Sequence, residues 1–148
     1  MKYFTKEWYR RMIALGRLDS SEEYNRLRPE IEAPVDAYRA YVQQNSLSAI
    51  DDKLDFHDWR VRSAQRKGND FCLFLGYGAD PVSVLLRCVD AQQIGQELAP
   101  KAADYVWLYH EIYLTAVGYE VRLLLTTDGK LCEWSIECAR MELTEIDL

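Results

Sequence analysis

The chain has 148 residues, of which 49% are apolar and 28% are charged, so it predicts one globular domain over 1–148 that needs neither a disulfide nor a metal to fold. Its apolar runs are far shorter than the ~20 residues of a membrane-spanning helix, and charges interrupt its opening segment, so we expect a cytoplasmic protein without a membrane span or a secretory leader. The formal net charge of −6 is concentrated in residues 67–148, where 13 acidic side chains outnumber 6 basic ones, and this balance disfavours nucleic acid as a partner.

The first third of the chain predicts helices. Ser20, with Glu23 three residues later, forms a capping box at the start of a long helical pattern. Pro29 and Pro34 interrupt that pattern, and an interior proline costs about 3 kcal/mol. We therefore expect two helices that meet at a break between residues 28 and 34.

Strands follow at short spacing. In the first hairpin, residues 59–65 are expected to pair with residues 71–77. A three-residue loop would align Val61 with Leu75 and keep one face of the hairpin apolar, whereas a two-residue loop would mix charge into that face. We therefore predict the three-residue loop.

Three further strands between residues 105 and 140 keep one alternating register. The Asp128-Gly129 turn fits a two-residue hairpin loop, and a loop over 115–118 extends the register to the preceding strand, with Leu108 opposite Leu125. We expect the N-terminal helices to pack against the apolar face of these strands, which carries Leu108, Ile112, Val121, Leu123, Trp134 and Ile136.

The opposite face of the same strands is aromatic and acidic. It collects Trp107, Tyr109, Glu111, Tyr113, Glu120, Arg122, Glu133 and Glu137. The register places Glu111 opposite Arg122 and Glu120 opposite Glu137. Tyr and Trp are enriched at protein interfaces, so we predict that this face binds a protein partner or a second copy of the chain. The alternative is that the helices or the connector 91–101 cover this face as a second core layer.

No catalytic, metal-binding or cofactor-binding motif is evident. His57 and His110 are the only histidines, and the aliphatic neighbours of His110 predict a hydrogen-bonded core residue rather than a metal ligand. Cys132 and Cys138 lie about 20 Å apart on one strand, too far for a disulfide or a shared metal. We therefore assign no catalytic residue, no metal and no cofactor.

The opening segment Lys2-Tyr3-Phe4-Thr5-Lys6-Glu7-Trp8-Tyr9 resembles a family of short bacterial proteins filed as a domain of unknown function. The stretch 56–61, the Lys67-Gly68-Asn69-Asp70 turn and the hairpin ending in Asp128-Gly129 are similar to segments that recur in such proteins. The resemblance implies a bacterial cytosolic protein. It transfers no functional residue, because that family has no established activity.

The sequence thus predicts an α+β domain in which N-terminal helices over 5–45 pack on an antiparallel sheet of about six strands over 57–141. For function we expect a non-enzymatic protein-binding protein, immunity-like or an adaptor, that uses the acidic, aromatic sheet face. Two alternatives stay open. One is a hydrolase with a carboxylate or histidine site that the sequence does not advertise, and the other is a module that binds a small ligand between helices and sheet.

Overall fold

The computed structural model describes residues 1–18, 20–79, 82–93 and 105–147. Within these ranges the helices are α1 Lys6–Leu15, α2 Ser21–Gln44 and α3 Ser48–Asp51, the last followed by a 3-10 turn at Asp52–Leu54. The strands are β1 Arg60–Lys67, β2 Asp70–Gly76, β3 Val82–Val89, β4 Gln92–Gln93, β5 Tyr105–Leu114, β6 Tyr119–Thr127, β7 Lys130–Cys138 and β8 Arg140–Asp147. The predicted α+β fold, with N-terminal helices and an antiparallel sheet, is confirmed.

The sheet curls into a barrel because the chain connects β7 directly to β8, although these two strands form no ladder within the described residues. The strand order is β4-β7-β6-β5-β1-β2-β3-β8, with β7 near one end and β8 at the other. Only Ala139 separates these two strands in sequence, so the ends of the sheet must meet there. The Ala139 N–H donates to the Val89 carbonyl oxygen at 2.9 Å and links this junction to β3. One face of the sheet therefore becomes the barrel interior, where most of the buried apolar core lies.

The β1–β2 hairpin has the predicted alignment of Val61 but a different loop length. Val61 lies opposite Leu75, as predicted, but the loop has two residues, because Lys67 pairs with Asp70. A β-bulge at Arg62 takes up the extra residue and returns Val61 to the apolar face. The predicted three-residue loop is wrong, although the argument from burial found the correct pairing.

α2 is a single helix that runs through both prolines, so the predicted break between residues 28 and 34 is wrong. Ser20 caps it as predicted, and its hydroxyl accepts a hydrogen bond from the Glu23 N–H at 3.4 Å. Pro34 has no N–H to offer the Glu30 carbonyl oxygen. Glu30 is exposed, so water can hydrate this part of the helix, and tertiary packing outweighs the cost of the proline.

α1 lies on the outer face of the barrel wall, over Tyr109 of β5. The ring of Tyr109 contacts those of Phe4, Trp8 and Tyr9 at centroid distances of 5.4, 5.0 and 6.1 Å. The prediction that the helices pack against the face of Leu123 and its neighbours is therefore wrong for α1. That face is the barrel interior, whose core also includes Val42 of α2 and Leu54 of the 3-10 turn.

α2 runs beside the part of β5 that β1 leaves unpaired. β1 pairs with β5 only at residues 105 and 106. Farther along β5, the Ile112 N–H donates to the Tyr38 hydroxyl at 2.9 Å and the Leu114 N–H to the Tyr41 hydroxyl at 3.4 Å. The hydroxyl groups of two tyrosines on α2 thus accept the backbone hydrogen bonds that a neighbouring strand would otherwise accept from β5.

Candidate functional site

A β-bulge removes Trp107 from the predicted partner-binding face. The predicted register placed Leu108 opposite Leu125, but the bulge at Leu108 pairs Trp107 with Leu125 and Tyr109 with Leu124. One extra residue turns the side chains before it to the other face of the strand. Trp107 therefore lies on the barrel side and is fully buried, so its assignment to an exposed binding face is wrong.

Glu111 lies opposite Arg122 as predicted, but it is fully buried rather than exposed. Its carboxylate accepts hydrogen bonds from the backbone N–H groups of Lys2, Tyr3 and Phe4 at 2.7, 2.7 and 2.6 Å. The Tyr113 hydroxyl donates to it as well, and burial together with this bond raises the pKa of Tyr113. Glu111 therefore anchors the opening segment of the chain to the sheet.

The remaining predicted face residues keep partial exposure. Arg122 donates from Nε to Glu120 at 2.8 Å, and the amino group of Met1 donates to Glu133 at 2.9 Å. Glu120 lies opposite Glu137, as predicted. The face thus has two parts. One part is covered by α1 and the N-terminal segment, and the other is acidic and half-buried. The role of the face in binding a partner stays a prediction.

Asp51 joins α2, α3 and β5 through one carboxylate oxygen. Oδ1 accepts a hydrogen bond from the Tyr38 hydroxyl at 2.5 Å and lies 3.0 Å from His110 Nε2. Burial opposes the ionisation of Asp51, but the hydrogen bonds with His110 and Tyr38 outweigh it and lower its pKa. The predicted hydrogen bond of His110 is confirmed, but its side chain is 13% exposed and lines a cavity rather than lying in the core.

A cavity of about 450 Å³ lies beside this cluster. Its lining includes both histidines and three aspartates, namely His57, His110, Asp51, Asp52 and Asp55. These residue types serve general acid–base catalysis. However, Asp51 bonds to both His110 and Tyr38, and His57 pairs with its neighbour Asp58 at 3.1 Å. Among the described residues, no three His, Cys, Asp or Glu side chains are placed to hold a metal ion.

A second cavity, of about 490 Å³, lies between α3 with its 3-10 turn and strands β3, β6 and β8. We call it the barrel-mouth cavity. Its apolar lining consists of Ile50, Leu54, Phe56, Val84, Tyr119, Met141 and Leu143. Its charged lining consists of Lys53, Arg140 and Glu145.

Local folding explains why the base of the cavity is apolar and its opening is charged. The 3-10 turn carries Leu54 into the core, where its exposed fraction is 1%, while its neighbour Lys53 stays exposed. On β8, Met141 lies opposite Cys88 and Leu143 opposite Leu86, so both follow the buried residues of β3 on the interior face. The cavity therefore has a rigid apolar base that belongs to the core and a polar opening.

Sequence reasoning missed this cavity because it ended the sheet at residue 141. β8 continues to residue 147 and supplies four of the lining residues, Arg140, Met141, Leu143 and Glu145, of which the last two lie beyond residue 141. The signal was present, since Met141 and Leu143 alternate with Glu142 and Thr144 in the period of a strand.

All four cysteines carry free thiols. Cys88 and Cys138 meet where β3 approaches the end of β7, and their mutual hydrogen bond and burial raise the pKa of the Cys88 thiol. Cys72 lies opposite Arg87, the residue before Cys88 on β3, so its side chain is on the other face of the sheet. The buried pair of Cys88 and Cys138 therefore behaves as small core side chains.

Comparison of the chain with protein-family models, curated proteins and solved structures gave no match. The resemblance of the opening segment to a bacterial family stays a prediction. Within the part of the chain that the structure describes, no helix has the length and apolar character needed to cross a membrane.

Proposed function

We propose that this protein binds a small amphipathic molecule in the barrel-mouth cavity. The observation that carries the proposal is an apolar cavity of about 490 Å³ with charged residues at its rim. Ligand sites are commonly apolar cavities of roughly 300–1,000 Å³ with a few polar groups, and the mouth of a β-barrel is a frequent place for them. A cytoplasmic location and a bacterial origin, both expected from the sequence, are part of this proposal.

The apolar part of the ligand would contact the cavity base. Leu54 and Phe56 are buried beneath it, and Met141 and Leu143 form its wall on β8. Leu54 belongs to the 3-10 turn, Met141 and Leu143 belong to β8, and Phe56 is a buried loop residue, so the surface offered to a ligand is preformed. Burying an apolar ligand there contributes roughly 25 cal/mol per Å² removed from water.

The polar end of the ligand would face the rim. Arg140 donates from Nε to Glu142 at 2.9 Å, so much of its charge is already neutralised. Lys53 and Glu145 are exposed and of opposite sign. The rim therefore favours a polar end with no strong charge, such as a hydroxyl or an amide.

The structure gives less support to the two other predicted functions, a partner-binding protein and a hydrolase. The partner-binding function relied on Trp107 and Glu111, which are both fully buried. The hydrolase function would use Asp51 and His110, whose hydrogen bonds join α2, α3 and β5. The Asp51–His110 pair borders a cavity of about 450 Å³, but both side chains already have hydrogen-bond partners within the protein.

Calorimetric titration with decanol, decanoate and decylamine tests the proposal. We expect saturable binding that is strongest for decanol, because its apolar chain fits the base and its hydroxyl suits the neutral rim. Leu143→Trp should fill the cavity and weaken binding by about tenfold or more, which corresponds to about 1.4 kcal/mol.

Thr144→Trp is the matched control, since Thr144 is the next residue on β8 and is exposed on the other face. It should leave binding unchanged. Thermal unfolding of both variants checks that each is folded. Equal binding by the wild type and by a folded Leu143→Trp variant would refute the proposal.

A further inference from the structure

A basic cleft lies on the other side of the molecule, between α1 and the β6–β7 turn. Its volume is about 740 Å³. The lining includes three cations, Arg10, Arg17 and Lys130, and no acidic residue. Asp128 belongs to the same turn but does not line the cleft. Three converging cations are unexpected on a chain whose net charge is −6.

The cleft cations have no acidic partner within the part of the chain that the structure describes. Among the described residues, neither Arg10, Arg17 nor Lys130 makes an ion pair or a side-chain hydrogen bond. Arg11, which follows Arg10 on α1, instead pairs with Glu7 at 3.6 Å and with Glu30 at 3.4 Å. The cleft cations therefore have free hydrogen-bond donors for an external anion.

The cleft also has an apolar part. Ile13 lies on α1 between Arg10 and Arg17, which follows the helix, and 37% of the surface of Ile13 is exposed. Leu131 and Tyr9 line the cleft next to it. An anion that enters the cleft would thus have room for an attached apolar group against these side chains.

We propose that this cleft binds a phosphate monoester that carries an apolar or aromatic group. Guanidinium groups form paired hydrogen bonds with phosphate oxygens, and a lysine adds a compact positive charge. A monoester carries about two negative charges near pH 7 and so matches three cations better than a singly charged carboxylate does. The site is separate from the barrel-mouth cavity, with which it shares no lining residue.

Titration calorimetry with phenyl phosphate, inorganic phosphate and benzoate provides the test. Phenyl phosphate should bind with a saturable heat, about fivefold more tightly than inorganic phosphate because its ring contacts Ile13, and more tightly than benzoate. The triple variant Arg10→Gln, Arg17→Gln, Lys130→Gln should weaken binding of phenyl phosphate by about tenfold or more.

The matched control is Arg26→Gln, Arg39→Gln, Lys67→Gln, which removes the same charge from exposed positions outside the cleft. It should change phenyl phosphate binding by less than about twofold. An equal loss in both triple variants would show a general effect of net charge and would overturn the proposal. The absence of saturable binding by the wild type at millimolar phenyl phosphate would also overturn it.

The same phosphate chemistry occurs on soluble esters and on lipid headgroups, and sedimentation with vesicles distinguishes them. Wild-type protein that sediments with phosphatidic acid vesicles but not with phosphatidylcholine vesicles, in a manner lost in the cleft variant, identifies a lipid source. Binding of phenyl phosphate without sedimentation identifies a soluble ester. Failure of both assays overturns the proposal without bearing on decanol binding at the barrel mouth.

Discussion

At the scale of single residues, Glu111 links the opening segment of the chain to the outer face of the sheet. It is fully buried and accepts three backbone N–H groups and the Tyr113 hydroxyl. A buried carboxylate is stable only when its oxygens are hydrogen-bonded, and here the three backbone donors come from residues that are 107–109 positions away. The opening segment thus has a structural role.

Replacing Glu111 tests this role. Glu111→Gln should reduce the free energy of unfolding by about 2–3 kcal/mol, because the amide places an N–H donor against backbone N–H donors. Glu120→Gln is the control on the same face, where the carboxylate bonds only the partly exposed Arg122, and it should cost less than about 1 kcal/mol. Urea unfolding measures both, and equal effects would contradict the anchoring role.

Asp51 makes stability depend on pH. Its pKa is lowered in the folded state, so the folded protein favours the ionised carboxylate. The stabilisation is present above the ordinary aspartate pKa of about 3.9 and is lost as the pH falls through the lower folded-state value. Asp51→Asn should therefore lower stability at pH 7 but flatten its decline below about pH 4. Thermal unfolding from pH 7 to pH 2 measures this, and parallel curves for the two proteins would refute it.

At the scale of elements, α2 continues through two prolines. Pro34→Ala supplies the missing N–H within a helix that is already formed, so it should raise the free energy of unfolding by about 1–3 kcal/mol. If the helix were broken between residues 28 and 34, the same change would give no gain. Urea unfolding distinguishes the two outcomes, and helical circular dichroism at 222 nm checks that α2 is retained.

The elements also show what sequence patterns can and cannot predict. The β6–β7 register was predictable because Asp128-Gly129 fixes a two-residue loop and both strands alternate strictly. The bulges at Arg62 and Leu108 were not, because only burial decides where an extra residue is accommodated. The bulge at Leu108 turned Trp107 inward and removed the main anchor of the predicted binding face.

At the scale of the whole molecule, barrel closure decides which faces are available. Alternation predicts two faces for each strand, but it does not say whether a sheet is open or closed. The alternating pattern of β8 was overlooked, and without that strand neither closure nor the cavity beside it could be predicted. The acidic, aromatic face then became the outside of a barrel, where α1 covers part of it.

Gly118 tests the packing at the junction of β7 and β8. Its φ is +150°, and a Cβ there would lie 2.5 Å from the carbonyl oxygens of Cys138 and Ala139, at the junction of β7 and β8. Gly118→Ala should therefore destabilise by more than about 2 kcal/mol. Gly78→Ala adds a methyl group in open space at a φ of +52° and should cost only about 1 kcal/mol from backbone strain. Equal losses of unfolding free energy for the two variants in urea would mean that the β7–β8 junction does not contact Gly118 closely.

The barrel-mouth cavity is tested most directly by methyl-resolved NMR during a titration with decanol. The methyl signals of Leu54, Val84 and Leu143, which line the cavity, should shift together and saturate with a single dissociation constant. The methyl signals of Leu124, which is buried on the outer face of β6 and lines neither this cavity nor the basic cleft, should stay unchanged. Shifts at Leu124 as large as those at the cavity, or no saturable shift at Leu54, Val84 and Leu143, would contradict ligand binding at the barrel mouth.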